Sequence, residues 1–222
     1  MKKQKIVLFD IDYTLFDVNY FDKYFHKKLS KLLNLNESFI RDSSIKIIID
    51  LVTKEAFLDI DKYIKELITD LNKKKYKKKV EDLLFSSSFF KKGFYKEVEK
   101  TLYAVEKIAR IGIFSQGDIK FQWAKIEQSG FKHLFDKDLT YIIKPRKLDF
   151  LPSLKKRHLN DKIYLVDDKP KIIQEMKENI PSVFAIWLRR GKFIDQAKGI
   201  EGFKPDSTIT NLSEIVEIIK RN

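Results

Sequence analysis

The chain opens with a short hydrophobic strand that runs directly into acidic residues, and this stretch constrains the fold more than any other. Residues 6–9 are apolar and rich in β-branched and aromatic side chains, which is typical of a buried strand in a parallel sheet. Asp10 and Asp12 follow at once, with Thr14 close behind them. Buried carboxylates are costly unless they are paired, bind a metal or take part in chemistry. Because aspartate also starts turns after strands, the stretch alone is compatible with either a turn or a site.

Length and composition predict an ordered globular protein. The 222 residues suffice for one large domain, or for a domain with an insertion, and 43% of them are hydrophobic. Cysteine is absent, which excludes disulfides and thiolate metal sites, and the 3 histidines are scattered, so we do not expect a histidine-based zinc site. No signal peptide or membrane-spanning segment is recognisable. We therefore expect a cytoplasmic protein with no membrane partner.

The region after the first strand has a helical pattern. Across residues 19–84, apolar side chains recur at helical spacing with lysines between them, and no strand pattern interrupts them. This predicts an all-helical insertion, with residues 85–93 as its return linker. Its most basic stretch is residues 73–79, K-K-K-Y-K-K-K. The favoured interpretation of that stretch is a solvated helix face. The favoured interpretation of the net charge of +13 is a general bias of the composition towards lysine. Attraction to nucleic acid or to a phosphorylated substrate is the lesser alternative for both.

From residue 94 onward, predicted strands and helices alternate. The strands are expected near 111–114, 139–143, 163–166 and 183–188, and the helices near 95–109, 119–129, 148–158, 170–179 and 212–221. Such alternation predicts an α/β fold with a doubly wound, mostly parallel, Rossmann-like sheet. We expect residues 1–16 and 93–222 to form this Rossmann-like core, and residues 17–92 to form the inserted all-helical cap domain with its linkers.

Polar side chains stand at the end of several predicted strands. Each one has a simple explanation as a turn residue, a helix cap or a surface lysine. In an open α/β sheet, however, the carboxyl ends of the strands border one crevice where ligands bind. Together these residues supply acids for a divalent cation, a hydroxyl donor, a fixed positive charge and a nucleophile, which are the parts that phosphoryl transfer requires. They are Asp10, Asp12 and Thr14, then Ser115, Lys144, Asp167 and Asp168.

Four stretches with these residues occur in an order that covers nearly the whole chain. They are F-D-I-D-Y-T-L-F at the first strand, I-F-S-Q-G-D with the following Q-x-x-K helix, K-P-R-K-L-D-F from Lys144, and L-V-D-D-K-P at the fourth strand. In sequence and order they resemble the four motifs of the haloacid dehalogenase superfamily, specifically its phosphatase-like members with a helical cap inserted after the first motif.

The resemblance implies roles for individual residues. Asp10 would be the nucleophile that forms an aspartyl-phosphate, and Asp12 would protonate the leaving group and then activate the hydrolytic water. Lys144 would restrain Asp10, with Lys147 as the alternative for that role. The substrate phosphate would be bound by Thr14, Ser115, Gln116 and Lys144. An Mg²⁺ ion would be held by Asp10, Asp12, Asp167 and Asp168, because this hard cation prefers oxygen ligands.

The acid at position 12 also separates reaction types. A departing halide needs no proton, and dehalogenases of this superfamily lack an acid at that position, whereas the alkoxide of a phosphate ester needs one. We therefore expect an Mg²⁺-dependent phosphomonoester hydrolase that acts on a small phosphorylated substrate of the nucleotide or sugar phosphate class. The alternatives are a phosphomutase or phosphotransferase on the same scaffold, and a basic protein that binds nucleic acid or processes its ends.

Overall fold

The computed structural model describes residues 4–222 and contains a six-stranded parallel sheet with β1 near its centre. The sheet order is β3-β2-β1-β4-β5-β6, and every neighbouring pair is parallel. The order of the strands changes direction at β1, where an open α/β sheet has its ligand crevice. The strands are β1 (Lys5–Phe9), β2 (Arg110–Gln116), β3 (Thr140–Ile143), β4 (Lys162–Asp167), β5 (Phe184–Leu188) and β6 (Ser207–Ile209).

Ten α-helices accompany the sheet in residues 4–222; six of them lie between β1 and β2, and the first five of these six occupy residues 18–93. We call residues 18–93, which hold these five helices, the helical insertion. Across residues 4–222, none of the helices combines the length and the apolar character needed to cross a membrane. The helices are α1 (Val18–Leu33), α2 (Glu37–Glu55), α3 (Ile60–Asp70), α4 (Lys77–Leu84), α5 (Ser87–Gly93), α6 (Val98–Glu106), α7 (Ile119–Glu127), α8 (Leu151–Arg157), α9 (Pro170–Asn179) and α10 (Ile215–Arg221).

Strand β1 is buried on both faces, as its unbroken apolar sequence predicts. Val7 and Phe9 belong to a hydrophobic cluster that continues into the helical insertion. Ile6 and Leu8 point to the opposite cluster, which lies between the sheet and helices such as α9. All four side chains are inaccessible to solvent. This double burial fixes the level at which β1 ends, and so positions the acids that follow it.

The helical insertion leaves and rejoins the core at one place. The Asp17 carboxylate caps α1 by accepting a hydrogen bond from the amide of Tyr20, and the Asp17 amide donates to the carbonyl of Gly93 at 2.7 Å. The ring of Phe16 contacts the rings of Phe21 and Phe90 beside this junction. The two ends of the insertion are therefore joined by a backbone hydrogen bond and a shared aromatic cluster.

The structure differs from the sequence-based prediction in three elements. The helical pattern of residues 59–84 predicts one continuous helix, but the structure divides this stretch into α3 and α4, because Asn72 adopts a left-handed conformation (φ 53) between them. The expected return linker contains a helix, α5, which buries Phe89 and Phe90. Strand β6 was not predicted, because it is three residues long and buries only Ile209, so it has no apolar run. The lysine run lies before and in the first turn of α4, and most of it is exposed.

Candidate active site

Three buried aspartates meet at the carboxyl edge of the sheet. Phe9 of β1 is paired with Val166 of β4, so Asp10 and Asp167 follow these partners at the same level. Asp168 comes next, and the carboxylates of Asp10, Asp167 and Asp168 offer oxygen atoms within 4.8 Å of one another. All three residues are at most 1% exposed. The sequence placed these acids at the ends of two strands, and the parallel register brings them together.

A buried lysine joins two of these acids, and it is Lys147. Its Nζ donates to Asp10 Oδ1 at 2.9 Å and to Asp167 Oδ2 at 2.5 Å, and its side chain is 1% exposed. Lys147 begins the 3₁₀ turn Lys147–Phe150, and its amide donates to Gln116 Oε1. This backbone contact holds the turn against the end of β2 and aims the lysine at the acids.

Lys144, which we expected to restrain Asp10, lies elsewhere. Its Nζ is 3.5 Å from Asp118 Oδ2 and 4.5 Å from the centre of the Phe57 ring, which belongs to the helical insertion. Lys147, and not Lys144, therefore contacts Asp10, and Lys144 lies between the core and the insertion. The reason is the turn after β3, which directs Lys144 away from the acids before the chain returns at Lys147.

The charges of the cluster are unevenly balanced. Burial raises the pKa of Asp10, but the ammonium groups of Lys147 and Lys169 outweigh that effect and hold the pKa below its ordinary value. Burial raises the pKa of Asp168 to about 9, and the neighbouring carboxylates of Asp167 and Asp10 add to the shift. Asp10 is therefore maintained as a carboxylate, the state that a carboxylate nucleophile requires. At Asp168 the attraction of Lys169 and Lys147 does not offset burial and the two carboxylates, so its pKa stays raised.

The acidic cluster fits a hard divalent cation. Across the residues that the structure describes, Asp10 Oδ2 and both carboxylate oxygens of Asp168 are buried without a hydrogen-bond partner. Asp167 differs, because one oxygen accepts from Lys147 and the other from the amide of Lys169. Buried carboxylate oxygens without partners are costly, and Mg²⁺ takes oxygen ligands of this kind. Within this cluster, Asp10 and Asp168 are thus the residues whose carboxylate oxygens are available to bind a cation.

Asp12 is held by helix α7. Lys125 Nζ donates to Asp12 Oδ1 at 2.5 Å, and Gln122 Nε2 donates to Asp12 Oδ2 at 2.8 Å. Both partners are 2% exposed, whereas the Asp12 side chain is 28% exposed and borders a cavity. Sequence reasoning assigned no role to Gln122 or Lys125. Their i, i+3 spacing, which puts both on one face of the helix, was the available signal.

The predicted phosphate ligands lie in three different surroundings. Thr14 Oγ1 and Ser115 Oγ are buried and make no hydrogen bond within residues 4–222, so both could donate to a ligand. Gln116 is already engaged, because its Nε2 donates to the carbonyl of Ala56 in the insertion while its Oε1 accepts from Lys147. Lys144 lies outside this group of side chains, as described above.

A cavity of about 280 Å³ lies between the helical insertion and these residues. Asp12, Lys125 and Lys169 line it on the side of the core, and Phe57 lines it on the side of the insertion. A larger cavity of about 750 Å³ is lined by Trp123 and other residues, none of which is a predicted site residue. The smaller cavity is therefore the candidate active site, because of these two it alone is bordered by predicted site residues, Asp12 and Gln116.

The parallel sheet and the acidic crevice at its edge place this protein in the α/β class, and similar solved structures identify the fold. The chain superimposes on a proposed haloacid dehalogenase-like hydrolase from Burkholderia xenovorans with a TM-score of 0.80 and 20% identity, over 99% of this chain and 98% of that one. A proposed HAD-hydrolase from Bacillus subtilis bound to magnesium gives a TM-score of 0.65 at 15% identity, over 98% of this chain and 99% of that one.

The L-2-haloacid dehalogenase from Xanthobacter autotrophicus with chloropropionic acid covalently bound gives a TM-score of 0.60 at 12% identity, over 98% of each chain. The chain thus has the haloacid dehalogenase-like fold along its whole length. No family model and no curated protein matches the sequence.

Proposed function

We propose that this chain is an Mg²⁺-dependent phosphomonoester hydrolase that acts through an aspartyl-phosphate on Asp10. The observation that carries the proposal is the position of Asp12, a second carboxylate that borders the cavity and is held there by Lys125 and Gln122. An alkoxide leaving group needs a proton and a halide does not, so an acid at this place favours a phosphate ester as the substrate. The fold alone is compatible with both reactions, because similar structures include dehalogenases and a hydrolase bound to magnesium.

The first half of the reaction transfers the phosphoryl group to the protein. A carboxylate oxygen of Asp10 attacks phosphorus, the bond from phosphorus to the leaving oxygen breaks, and that oxygen takes a proton from Asp12. Lys147 holds the other end of the Asp10 carboxylate. The buried hydroxyl groups of Thr14 and Ser115 donate to the phosphoryl oxygens, where negative charge is concentrated.

The second half restores the protein. Asp12, now a carboxylate, takes a proton from a water molecule, whose oxygen attacks phosphorus. The bond from phosphorus to the Asp10 oxygen breaks, which releases inorganic phosphate and returns Asp10 to its ionised form. Both steps place Asp12 beside the reacting atoms, so its orientation by Gln122 and Lys125 is part of the proposal.

Asp10 and Asp168, with the backbone carbonyl of Asp12, would hold the magnesium ion. When bound, the ion supplies the positive charge that lets a carboxylate approach a phosphate dianion. The helical insertion acts as a cap in this proposal, because Gln116 of the core binds Ala56 of the insertion directly over the cavity. A cap of this kind excludes water from the phosphoryl group until the leaving group has departed.

The test is phosphate release from 4-nitrophenyl phosphate with and without Mg²⁺. We expect Mg²⁺-dependent release by the native chain, none by Asp10→Asn, and native rates from the exposed control Asp195→Asn. Equal rates from the Asp10 variant would remove the nucleophile assignment. Chloride release from 2-chloropropionate with no phosphatase activity would instead establish a dehalogenase. Transfer of phosphate to an added sugar, with no inorganic phosphate formed, would establish a phosphotransferase.

A further inference from the structure

One wall of the candidate active-site cavity is apolar, and it is built from both the helical insertion and the core. The segment between α2 and α3 borders the cavity, where Ala56 ends α2 in a left-handed conformation (φ 62) that is uncommon for a residue other than glycine. Unusual backbone conformations of this kind are concentrated at binding sites. The apolar side chains that line the cavity include Val52, Phe57, Leu58 and Ile60 from the insertion, with Phe121 and Phe193 from the core.

Two of the polar side chains that line the cavity near this wall, Gln116 and Asp118, already have partners within the protein. The Gln116 amide group is used at both ends, by the Ala56 carbonyl and by the Lys147 amide. The Asp118 carboxylate caps α7 by accepting from the amide of Phe121 at 2.9 Å, and it also pairs with Lys144. A leaving group with several hydroxyls would find few partners here, and buried hydroxyls without partners weaken binding.

Aromatic rings close one side of the cavity. The rings of Tyr13 and Phe193 meet edge to face with their centres 6.1 Å apart. Tyr13 has a left-handed backbone (φ 61), and Gly191 lies against it so closely that a Cβ at position 191 would be 2.9 Å from the tyrosine Cβ. Lys169 and Lys192 lie over the Phe193 ring, 5.5 Å and 5.3 Å from its centre. The position of this aromatic pair is thus fixed by close contacts on several sides.

We propose that the leaving group of the substrate is a small apolar or aromatic alcohol, and that Phe57 and Val52 select it. This inference rests on the proposed hydrolase function and replaces the sugar phosphate and nucleotide classes that the sequence suggested. Apolar walls bind apolar groups by removing their surface from water, and aromatic rings add edge-to-face contacts. The cavity volume of about 280 Å³ also lies just below the roughly 300–1,000 Å³ of sites for drug-sized ligands, which favours a small group.

The test compares benzyl phosphate with ribose 5-phosphate in the presence of Mg²⁺. Both substrates release a primary alcohol, so Asp12 has to protonate the same kind of leaving oxygen in each. The ratio of their kcat/KM values therefore measures how the apolar wall discriminates between the two leaving groups. We expect benzyl phosphate to be preferred by at least about tenfold, within the range that apolar pockets achieve. Phe57→Ala should lower this preference by about tenfold. Val52→Asn, at a position 41% exposed and so tolerant of a polar group, should shift it towards ribose 5-phosphate.

The matched control is Phe39→Ala. Phe39 lies on α2, is 51% exposed and is not among the residues that line the cavity, so this variant should keep the native preference. A native preference for ribose 5-phosphate would overturn the inference while leaving the hydrolase proposal in place. Equal losses on both substrates in the Phe57 and Val52 variants would overturn it as well. Failure to hydrolyse benzyl, ribose and 4-nitrophenyl phosphates would contradict the proposed function itself.

Discussion

Lys125 donates a hydrogen bond to Asp12 across 2.5 Å from a position on α7 where its own side chain is only 3% exposed. Its ammonium group also lies 4.9 Å from the centre of the Phe16 ring and 4.6 Å from that of Phe121. The same rings contact Phe21 of the helical insertion. One buried cation therefore connects the proposed acid and base with the aromatic cluster between insertion and core.

Replacing this lysine should slow the reaction without removing its nucleophile. In Lys125→Met, Asp12 keeps Gln122 as its single partner and loses its fixed orientation. We expect kcat to fall about 10- to 100-fold, which is less than the roughly 10²- to 10⁴-fold contribution of a general acid or base removed outright. Steady-state kinetics should show the loss in kcat, with KM changed little, because the lysine acts through Asp12.

The control for Lys125→Met is Lys132→Met. Lys132 pairs with Glu127 on the surface at 2.9 Å, and its side chain is 47% exposed. Since exposed pairs of this kind contribute about 0–1 kcal/mol, this variant should have native kinetics and nearly native stability. An equal fall in kcat for both variants would show that Asp12 does not depend on Lys125.

The two candidate lysines of the third motif should behave differently when replaced. Lys147→Met leaves the carboxylates of Asp10 and Asp167 buried without their shared cation, which should cost about 3–5 kcal/mol of unfolding free energy and abolish activity. Lys144→Met removes only a 3.5 Å pair of a side chain that is 32% exposed, and should cost about 0–1 kcal/mol. Urea unfolding and phosphatase assays of the two variants, side by side, would reveal this difference. The opposite ranking would return the role to Lys144.

Asp168 should make the metal-free protein less stable as the pH rises. Its pKa is about 9 in the folded protein, while an unfolded aspartate has a pKa of about 3.9. Between these values the folded state binds a proton that the unfolded state has released, so the unfolding free energy falls with increasing pH, by at most about 1.4 kcal/mol per pH unit. Asp168→Asn removes this dependence and should be the more stable protein at pH 8 when a chelator is present.

Magnesium should reverse that order. Because the cation binds the ionised carboxylate, Mg²⁺ should raise the melting temperature of the native chain at pH 8 and have little effect on Asp168→Asn. Thermal melts with chelator and with excess Mg²⁺ measure both effects. Parallel pH profiles for the two proteins in chelator would show that Asp168 is ionised in the folded state, contrary to this expectation.

The junction of the helical insertion should be sensitive to a single methyl group. A Cβ at Gly93 would lie 2.3 Å from Phe16 Cε2, whereas a Cβ at Gly199 would have no neighbour within 4 Å. Gly93→Ala should therefore displace the Phe16 ring and cost about 1–3 kcal/mol, and Gly199→Ala should be nearly neutral. Urea unfolding measures both values. Equal stabilities would mean that the aromatic cluster can move without cost.

Much of the fold follows from local sequence patterns. The apolar run of β1 and the alternation of strands and helices after residue 94 predicted the parallel sheet, since such patterns reflect burial on both faces. The sequence pattern did not predict the break between α3 and α4, because the helical spacing of apolar residues continues across it. Strand β6 was missed because a three-residue edge strand carries too little apolar sequence to be distinguished from a loop.

The sequence by itself determined which kinds of side chain stand at the strand ends, because a parallel sheet brings the ends of its strands to one edge. It therefore predicted the meeting of Asp10 with Asp167 and Asp168. Only the tertiary structure decided which lysine reaches Asp10. The path of the turn after β3 brings Lys147, and not Lys144, to the Asp10 carboxylate, and the positions of the two lysines in the sequence do not determine this path. The partnership of Lys125 with Asp12 likewise depends on the position of α7 relative to the segment that follows β1, and these two residues are far apart in sequence.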